Sequence, residues 1–302
     1  MATPFKIGQG SPANTFLAVW MAEEAGLFKA NNLDMSIVPM TGGRESGPSF
    51  RAGLINLMHI GMSSVVRANT KGHDLVTIGS LSNVVRGDFF GAPGITTPEQ
   101  LRGGIVGISS TGSETDSTTT LALRKIGLDR TDVTIKEVGS TRLRLVRNGE
   151  IQATTLGEPD RSAARAEGLP CLVELFASRI PWVYSGLVAS RSYVAVNRPQ
   201  VLAAMRAIIE GNALACKDAA RAKAVLAREL KISDLALLDQ SYANFKEATP
   251  EFAAASLEGA ENILSVLNIA GMSKNSTEYL DGSIHEDLKR EGFLDEIARK
   301  YA

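Results

Sequence analysis

The sequence predicts an α/β fold, and three observations carry that expectation. Short apolar runs alternate with stretches of helical periodicity. Glycines and small polar residues gather just after those runs and before helix starts, the edge of an open α/β sheet where ligands bind. The chain has 302 residues, 44% hydrophobic and 22% charged, enough to fill two cores at roughly 100–200 residues per domain.

The elements follow in order. A strand begins at Phe5-Lys6-Ile7-Gly8 and gives way to the loop Gln9-Gly10-Ser11-Pro12-Ala13-Asn14. A helix is expected over 15–25, with Phe16, Leu17, Trp20 and Met21 on adjoining faces. Asn14 is the expected N-cap, and Gly26-Leu27 the glycine stop. Strand 35–39 leads into Thr41-Gly42-Gly43 and a helix to Ala52. Strand 57–60 leads into Gly61-Met62-Ser63-Ser64 and a helix. Strand 75–78 leads into Gly79-Ser80-Leu81-Ser82-Asn83. Strand 105–108 leads into Ser109-Ser110-Thr111-Gly112-Ser113 and a helix to Ile126. Strand 151–156 leads into Gly157-Glu158-Pro159. From Asn197-Arg198-Pro199 onward the sequence reads as mostly helical. No repeat of fixed period is present.

Composition narrows the function. The net charge is -1, and no basic run is long enough for a nucleic-acid face, so no nucleic-acid partner is expected. The densest basic stretch, Arg142, Arg144 and Arg147, reads as a solvated helix face. Cys171 and Cys216 read as two free buried thiols, not as a framework. His59, His73 and His285 are scattered, so neither a protein-built metal site nor a cofactor is expected. No run approaches the roughly 20 apolar residues of a membrane span. No leader is visible, since Met1 is followed almost at once by a strand.

The candidate ligand residues are those on the loops. Helix starts present unpaired N–H groups and partial positive charge, which suit anions and polar oxygens. Ser110, Thr111, Gly112 and Ser113 offer hydroxyls and a close backbone approach, and Ser113 with Asp116 matches a capping pattern. Met62, Ser63 and Ser64 open another helix, and Gly43 and Arg44 a third. Arg44 could hold an anion bidentately. Gln9, Ser11 and Asn14 lie on the first such loop, and Asn83 on the loop after 75–78. Glu158 could accept hydrogen bonds from a ligand. Tyr184 and Trp182 could stack on one or fill the core, and Arg86 reads as solvated.

Five stretches carry a resemblance. They are Ile7-Gly8-Gln9 with Glu24-Ala25-Gly26-Leu27-Phe28; Thr41-Gly42-Gly43 with His59-Ile60-Gly61-Met62-Ser63-Ser64; Pro93-Gly94-Ile95-Thr96-Thr97-Pro98-Glu99 running on to Ser113; Asn148-Gly149-Glu150-Ile151 with Glu158-Pro159; and Ser185-Gly186-Leu187-Val188-Ala189-Ser190. In this order they resemble the type 2 periplasmic binding proteins of ABC importers, in the branch of nitrate, sulfonate, taurine and thiamine-precursor receptors. The resemblance implies the type 2 fold: two lobes, each a mixed sheet flanked by helices, joined by two crossing hinge strands near 87–92 and 184–189. The lobes would be 1–90 plus 183–302, and 91–182. It implies a small polar, expected anionic, organic ligand caught by closure, ABC permease subunits as partners, a monomer, and a periplasmic or extracytoplasmic location with the leader removed. Where relatives often carry an aromatic residue before the Glu-Pro pair, this chain has Gly157.

Two rivals share the fold. A biosynthetic enzyme acting on a small heteroaromatic or carboxylate substrate would need catalytic groups. Ser63 is in no G-x-S-x-G elbow, and His59 is expected to point into the sheet's packing. An effector-sensing domain would need a DNA-binding helix pair ahead of the first strand, which Phe5 leaves no room for.

Overall fold

Alternation within the first strand sets the first sheet. Phe5 and Ile7 turn inward and are 1% and 0% exposed, while Lys6 between them turns out. A computed structural model describes residues 2–10, 12–267 and 269–302. Ser11, one of the candidate ligand residues, lies outside them. Ten strands occur among the described residues: β1 Thr3–Gln9, β2 Leu33–Pro39, β3 Leu57–Ile60, β4 Leu75–Ser80, β5 Asp88–Gly91, β6 Ile105–Ile108, β7 Thr134–Glu137, β8 Ala153–Leu156, β9 Cys171–Val173 and β10 Gly186–Ser190. They form two five-stranded sheets, ordered β2-β1-β3-β10-β4 and β7-β6-β8-β5-β9.

Both sheets share one plan. Parallel pairs β1/β2 and β1/β3 in one match β6/β7 and β6/β8 in the other. Each sheet then takes in one antiparallel strand, β10 or β5. These two strands occupy the segments expected to cross between lobes, yet each lies inside a sheet. The crossings themselves are the segments before them, 81–87 and 174–185. They run side by side: Val84 bridges Pro181, Val85 N–H donates to Ile180 O at 3.1 Å, and Trp182 N–H donates to Asn83 O at 2.9 Å. A two-segment hinge has few hydrogen bonds to break, so it permits rigid-body motion of the sheets it joins.

Helices cover the sheets. Leu17–Glu24 is apolar nearly all round and buried from Leu17 to Ala22, because it packs on the long helix Arg198–Lys217 and on Ala219–Leu230 and shares one apolar cluster with Phe5 and Ile7 of β1. The two helices meet through Ala18, Ala22 and Gly211. Asn14 does not cap the first helix. It opens a 3-10 turn, Asn14–Phe16, and its amide is spent on distant partners. Gly26 does stop the helix, at φ 72°, and a short helix Leu27–Ala30 follows. The outer edge of β4 is closed by the C-terminal segment: Thr77 exchanges backbone hydrogen bonds with Tyr279 O (2.8 Å) and Asp281 N–H (2.9 Å). The helix Leu257–Val266 packs on both Met62–Asn69 and Glu114–Lys125. Its Ile263 and Leu264 share one apolar cluster with Val65 and Leu123. Cys171 and Cys216 are free thiols, half-buried where full burial was expected. Among the described residues no helix is long and apolar enough to cross a membrane.

Candidate functional site

The strand ends of both sheets face each other, and the loops between them meet. Several of the contacts that tie the two sides lie here. Arg44, after β2, forms an ion pair with Glu137 at the end of β7. Asn244 donates to Glu158 Oε1 at 2.7 Å. Glu114, at the start of the helix after β6, accepts from Ser63 N–H at 2.8 Å and from the Trp182 indole N–H at 2.6 Å. That last contact follows from local structure. Ser63 N–H is an unpaired donor at a helix start, so a carboxylate there is favoured by hydrogen bond and dipole alike. Gly61 makes room for it, since a Cβ at that position would lie 2.1 Å from Glu114 Cγ. Burial pushes the Glu114 carboxyl up to about 7, against the opposing pull of the Trp182 and Ser63 hydrogen bonds.

Of the cavities walled from both sides, which include wider grooves lined by Arg67, Asp116 and Val266 and by Arg161, Phe176 and Asn244, two flank this bridge. The larger has a volume of about 360 Å³, a size that suits a small organic molecule. One wall is Pro12 to Thr15; the other includes Ser140, Arg142, Glu158 and Asp160; Arg86 and Tyr184, from the hinge segments, complete it. Tyr184 is half-buried, and burial, with Glu114 nearby, pushes its phenol up to about 12. The hydroxyl is therefore a neutral donor at any ordinary pH. Burial raises the Asp160 carboxyl, Arg142 opposes that, and among the described residues nothing pairs with it directly. Arg142 donates to Gly139 O at 2.6 Å and Thr155 O at 3.3 Å. Burial also lowers its pKa. The smaller pocket, about 40 Å³, lies between Gly43, Arg44, Ser64, Arg67 and Lys71 on one side and Ser110 to Ser113 on the other.

The expected residues therefore divide. Asn14, Glu158 and Tyr184 line the larger cavity; Gly43, Arg44, Ser64, Ser110, Thr111, Gly112 and Ser113 line the smaller. Gly43 is there because Ser64 leaves no space: a Cβ would come within 2.3 Å of its Oγ. Four residues do not take a ligand-facing place. Met62 is fully buried in the apolar core, as a large apolar side chain at a helix start should be. Asn83 spends its amide on Ala254 O (2.7 Å) and Ser256 N–H (3.2 Å), fastening the C-terminal segment. Ser63 contributes its N–H to Glu114, an internal carboxylate. Gln9 is 8% exposed and lines neither cavity, and its Nε2 has no partner among the described residues.

Glu158 is also corrected in part. Its carboxylate borders the larger cavity but is only 2% exposed. It accepts from Arg161 Nε (2.8 Å), Ser162 Oγ (2.7 Å) and Asn244, so it fastens the two sides together. Arg86, read as solvated, is 3% exposed and donates to Asn244 O (2.6 Å) and Asn14 Oδ1 (2.8 Å). Burial lowers its pKa to about 10. Of the three arginines read as one solvated face, Arg144 and Arg147 pair at the surface with Glu150 and Glu167, while Arg142 turns into the cavity. Sequence reasoning missed Glu114, Asp160, Arg142 and Arg67. A usable signal existed for Glu114 and Asp160, because each opens a helix after a strand-end loop. For Arg67, a full turn into its helix, there was none.

Two sheets of matched topology, a paired hinge and cavities at the facing strand ends define a two-lobed α/β binding-protein fold. The family model described as NMT1/THI5 like matches residues 13–222, and the chain belongs to that family. Solved structures agree on the fold. One from Bordetella bronchiseptica RB50 superposes with TM-score 0.82 at 20% identity, covering 96% of this chain and 98% of that one. The periplasmic aliphatic sulphonate binding protein SsuA of Escherichia coli gives 0.71 at 21% identity, over 88% and 90%. The periplasmic nitrate-binding protein NrtA of Synechocystis PCC 6803 gives 0.75 at 13% identity, over 96% and 89%. A comparison with curated protein sequences returned no match.

Proposed function

We propose that this chain is the extracytoplasmic solute-binding receptor of an ABC importer, and that it binds without transforming its ligand. The lobes are read as 1–90 plus 183–302, and 91–182, with the hinge at their junction. One observation carries the reading: the cavity of about 360 Å³ is walled from both sides of a two-segment hinge, so neither side alone encloses a ligand. A ligand touching both walls favours the closed arrangement by its differential affinity, and closure is the signal that a permease reads. The structures of SsuA, a sulphonate-binding protein, and NrtA, a nitrate-binding protein, support the class. The cavity's lining, with Arg142 and Asp160 both half-sequestered, suits a small polar organic solute that donates as well as accepts hydrogen bonds. The receptor works as a monomer outside the cytoplasm.

The test is calorimetry of the purified chain against a panel of small polar solutes, paired with X-ray scattering. A binding solute should shrink the radius of gyration, and mass spectrometry should recover it unchanged. Binding without compaction, or recovery of a product, would overturn the reading.

A further inference from the structure

Glu114 is a sheltered carboxyl that lines neither flanking cavity, so the receptor reading gives it no ligand to hold. It stands where the lobes meet. Each of its oxygens accepts one hydrogen bond, Oε1 from Ser63 N–H across the cleft (2.8 Å) and Oε2 from the Trp182 indole at the hinge (2.6 Å). Nothing of positive charge balances it. The helices Met62–Asn69 and Leu257–Val266 pack on its own helix, Glu114–Lys125, and bring Arg67, Glu258 and Glu261. Among the described residues none of these three pairs with it. β6 and β8, which also pack on its helix, carry no titratable side chain. On its own helix Asp116 is taken by Arg130, and Arg124 and Lys125 lie at the far end. The hinge contributes Tyr184, whose phenol is pushed up by burial and by the Glu114 charge. Ser63 Oγ is buried without a hydrogen-bond partner, on the residue that already holds the carboxyl. A protonated carboxyl has an O–H to donate, and a hydroxyl can accept it. These surroundings suit the neutral form, and burial holds the group at about 7.

Opening the hinge changes the surroundings. Ser63 leaves with its lobe, and water reaches the carboxyl, which returns toward its ordinary 4.5. The joined lobes then hold a proton that the parted lobes release. We infer that Glu114 is a proton-operated latch between the lobes, keeping them joined when protonated and favouring their parting when ionised. The latch rests on the two-lobed receptor reading and adds a regulation to it, since a receptor outside the cytoplasm meets the pH of its surroundings. By linkage the joined form is favoured most below about 4.5 and loses that advantage as pH rises through 7. One unit of pKa difference is a factor of ten in the equilibrium, so the joined-to-parted ratio should rise about tenfold from pH 8 to pH 6.

The experiment is amide hydrogen exchange of the full chain, with no solute added, at pH 6, 7 and 8, each rate corrected for the intrinsic pH dependence of exchange. Ser63 N–H is freed when the lobes part, so its protection reports the joined-to-parted ratio. It should exchange faster than the slowest amides of β1, which are freed only when a sheet opens. Its protection should be about tenfold higher at pH 6 than at pH 8. Glu114→Gln, which keeps the size and removes the titration, should abolish that difference. Trp182→Phe removes one of the hydrogen bonds that oppose protonation, and should move the change to higher pH. Exchange of Ser63 only together with the β1 amides would show that Glu114 acts on folding and not on the lobes. That result, an unchanged protection from pH 8 to pH 6, the same change in Glu114→Gln, or an unmoved range in Trp182→Phe would each overturn the latch. No solute enters the measurement, so a failed solute screen would sink the receptor reading and leave this result standing.

Discussion

Two carboxylates act at the scale of single residues, and each is engaged by partners within the protein. Glu114 is protonated more readily in the folded chain than in the unfolded one, at about 7 against 4.5. The folded state therefore binds the extra proton between those values, and stability falls as pH rises from about 4.5 to 7. His59 works the other way. Its buried ring titrates at about 4 against 6.5, so its contribution is present above 6.5 and lost as pH falls toward 4. The two slopes overlap, and a substitution separates them. Melting curves of Glu114→Gln from pH 5 to pH 8 should lose the component that declines with rising pH; a variant whose profile parallels the wild type would show that Glu114 does not titrate there. Glu158 is the second carboxylate. Its removal strands the Arg161 and Asn244 donors, so Glu158→Ala should cost roughly 1–3 kcal/mol of stability in urea unfolding, whatever it does to binding.

Close approach governs the elements. The helices Leu17–Glu24 and Arg198–Lys217 touch where residues are small, and a Cβ at Gly211 would come within 2.4 Å of Ala18 O. Ala18 and Ala22 are both fully buried, so the contact has no free volume to absorb a larger residue. Gly211→Leu should therefore destabilise the chain by about 1–3 kcal/mol through overpacking, read as a lowered denaturation midpoint with an unchanged slope. Gly112 is an element-scale feature of another kind. Its positive φ both turns the chain into the Glu114 helix and clears the space Arg67 occupies. In the sequence it is recognisable as a loop glycine; its relation to Arg67 is not, because the two are brought together only by contact between lobes.

For the whole molecule, the question is what holds the lobes together. The Arg44–Glu137 pair is largely exposed, at 58% and 40% of its side-chain surfaces, and a surface pair contributes about 0–1 kcal/mol. The Glu114 bridge and the Glu158–Asn244 bond are sheltered and contribute more. A solute that binds only the folded receptor adds to these by mass action. At about 100 times its dissociation constant it should stabilise the chain by ~2.7 kcal/mol. Calorimetric melting with and without the solute measures this, and an unmoved transition would mean that the solute does not bind the folded form.

Periodicity and turn chemistry are local, so they were legible. Alternation in 5–8, the helical stripe after Asn14 and the small-residue loops after the strands together fixed the α/β class and the edge at which a site would form. The ordered stretches from Ile7 to Ser190 pointed to the two-lobed fold that the family match and superpositions bear out. Which loop residues face a cavity was not local. Met62 and Asn83 sit on the expected loops but are turned into the core and toward the C-terminal segment. Arg86, Arg142 and Arg67 carry charges that a single sequence assigns by default to solvent. Their burial depends on what the other sheet presents opposite them. Hydrogen bonds such as Arg86 to Asn244 and Glu114 to Ser63 join positions 158 and 51 residues apart. Side-chain direction across a cleft is set by the packing of two separately built sheets, and only the tertiary structure contains that information.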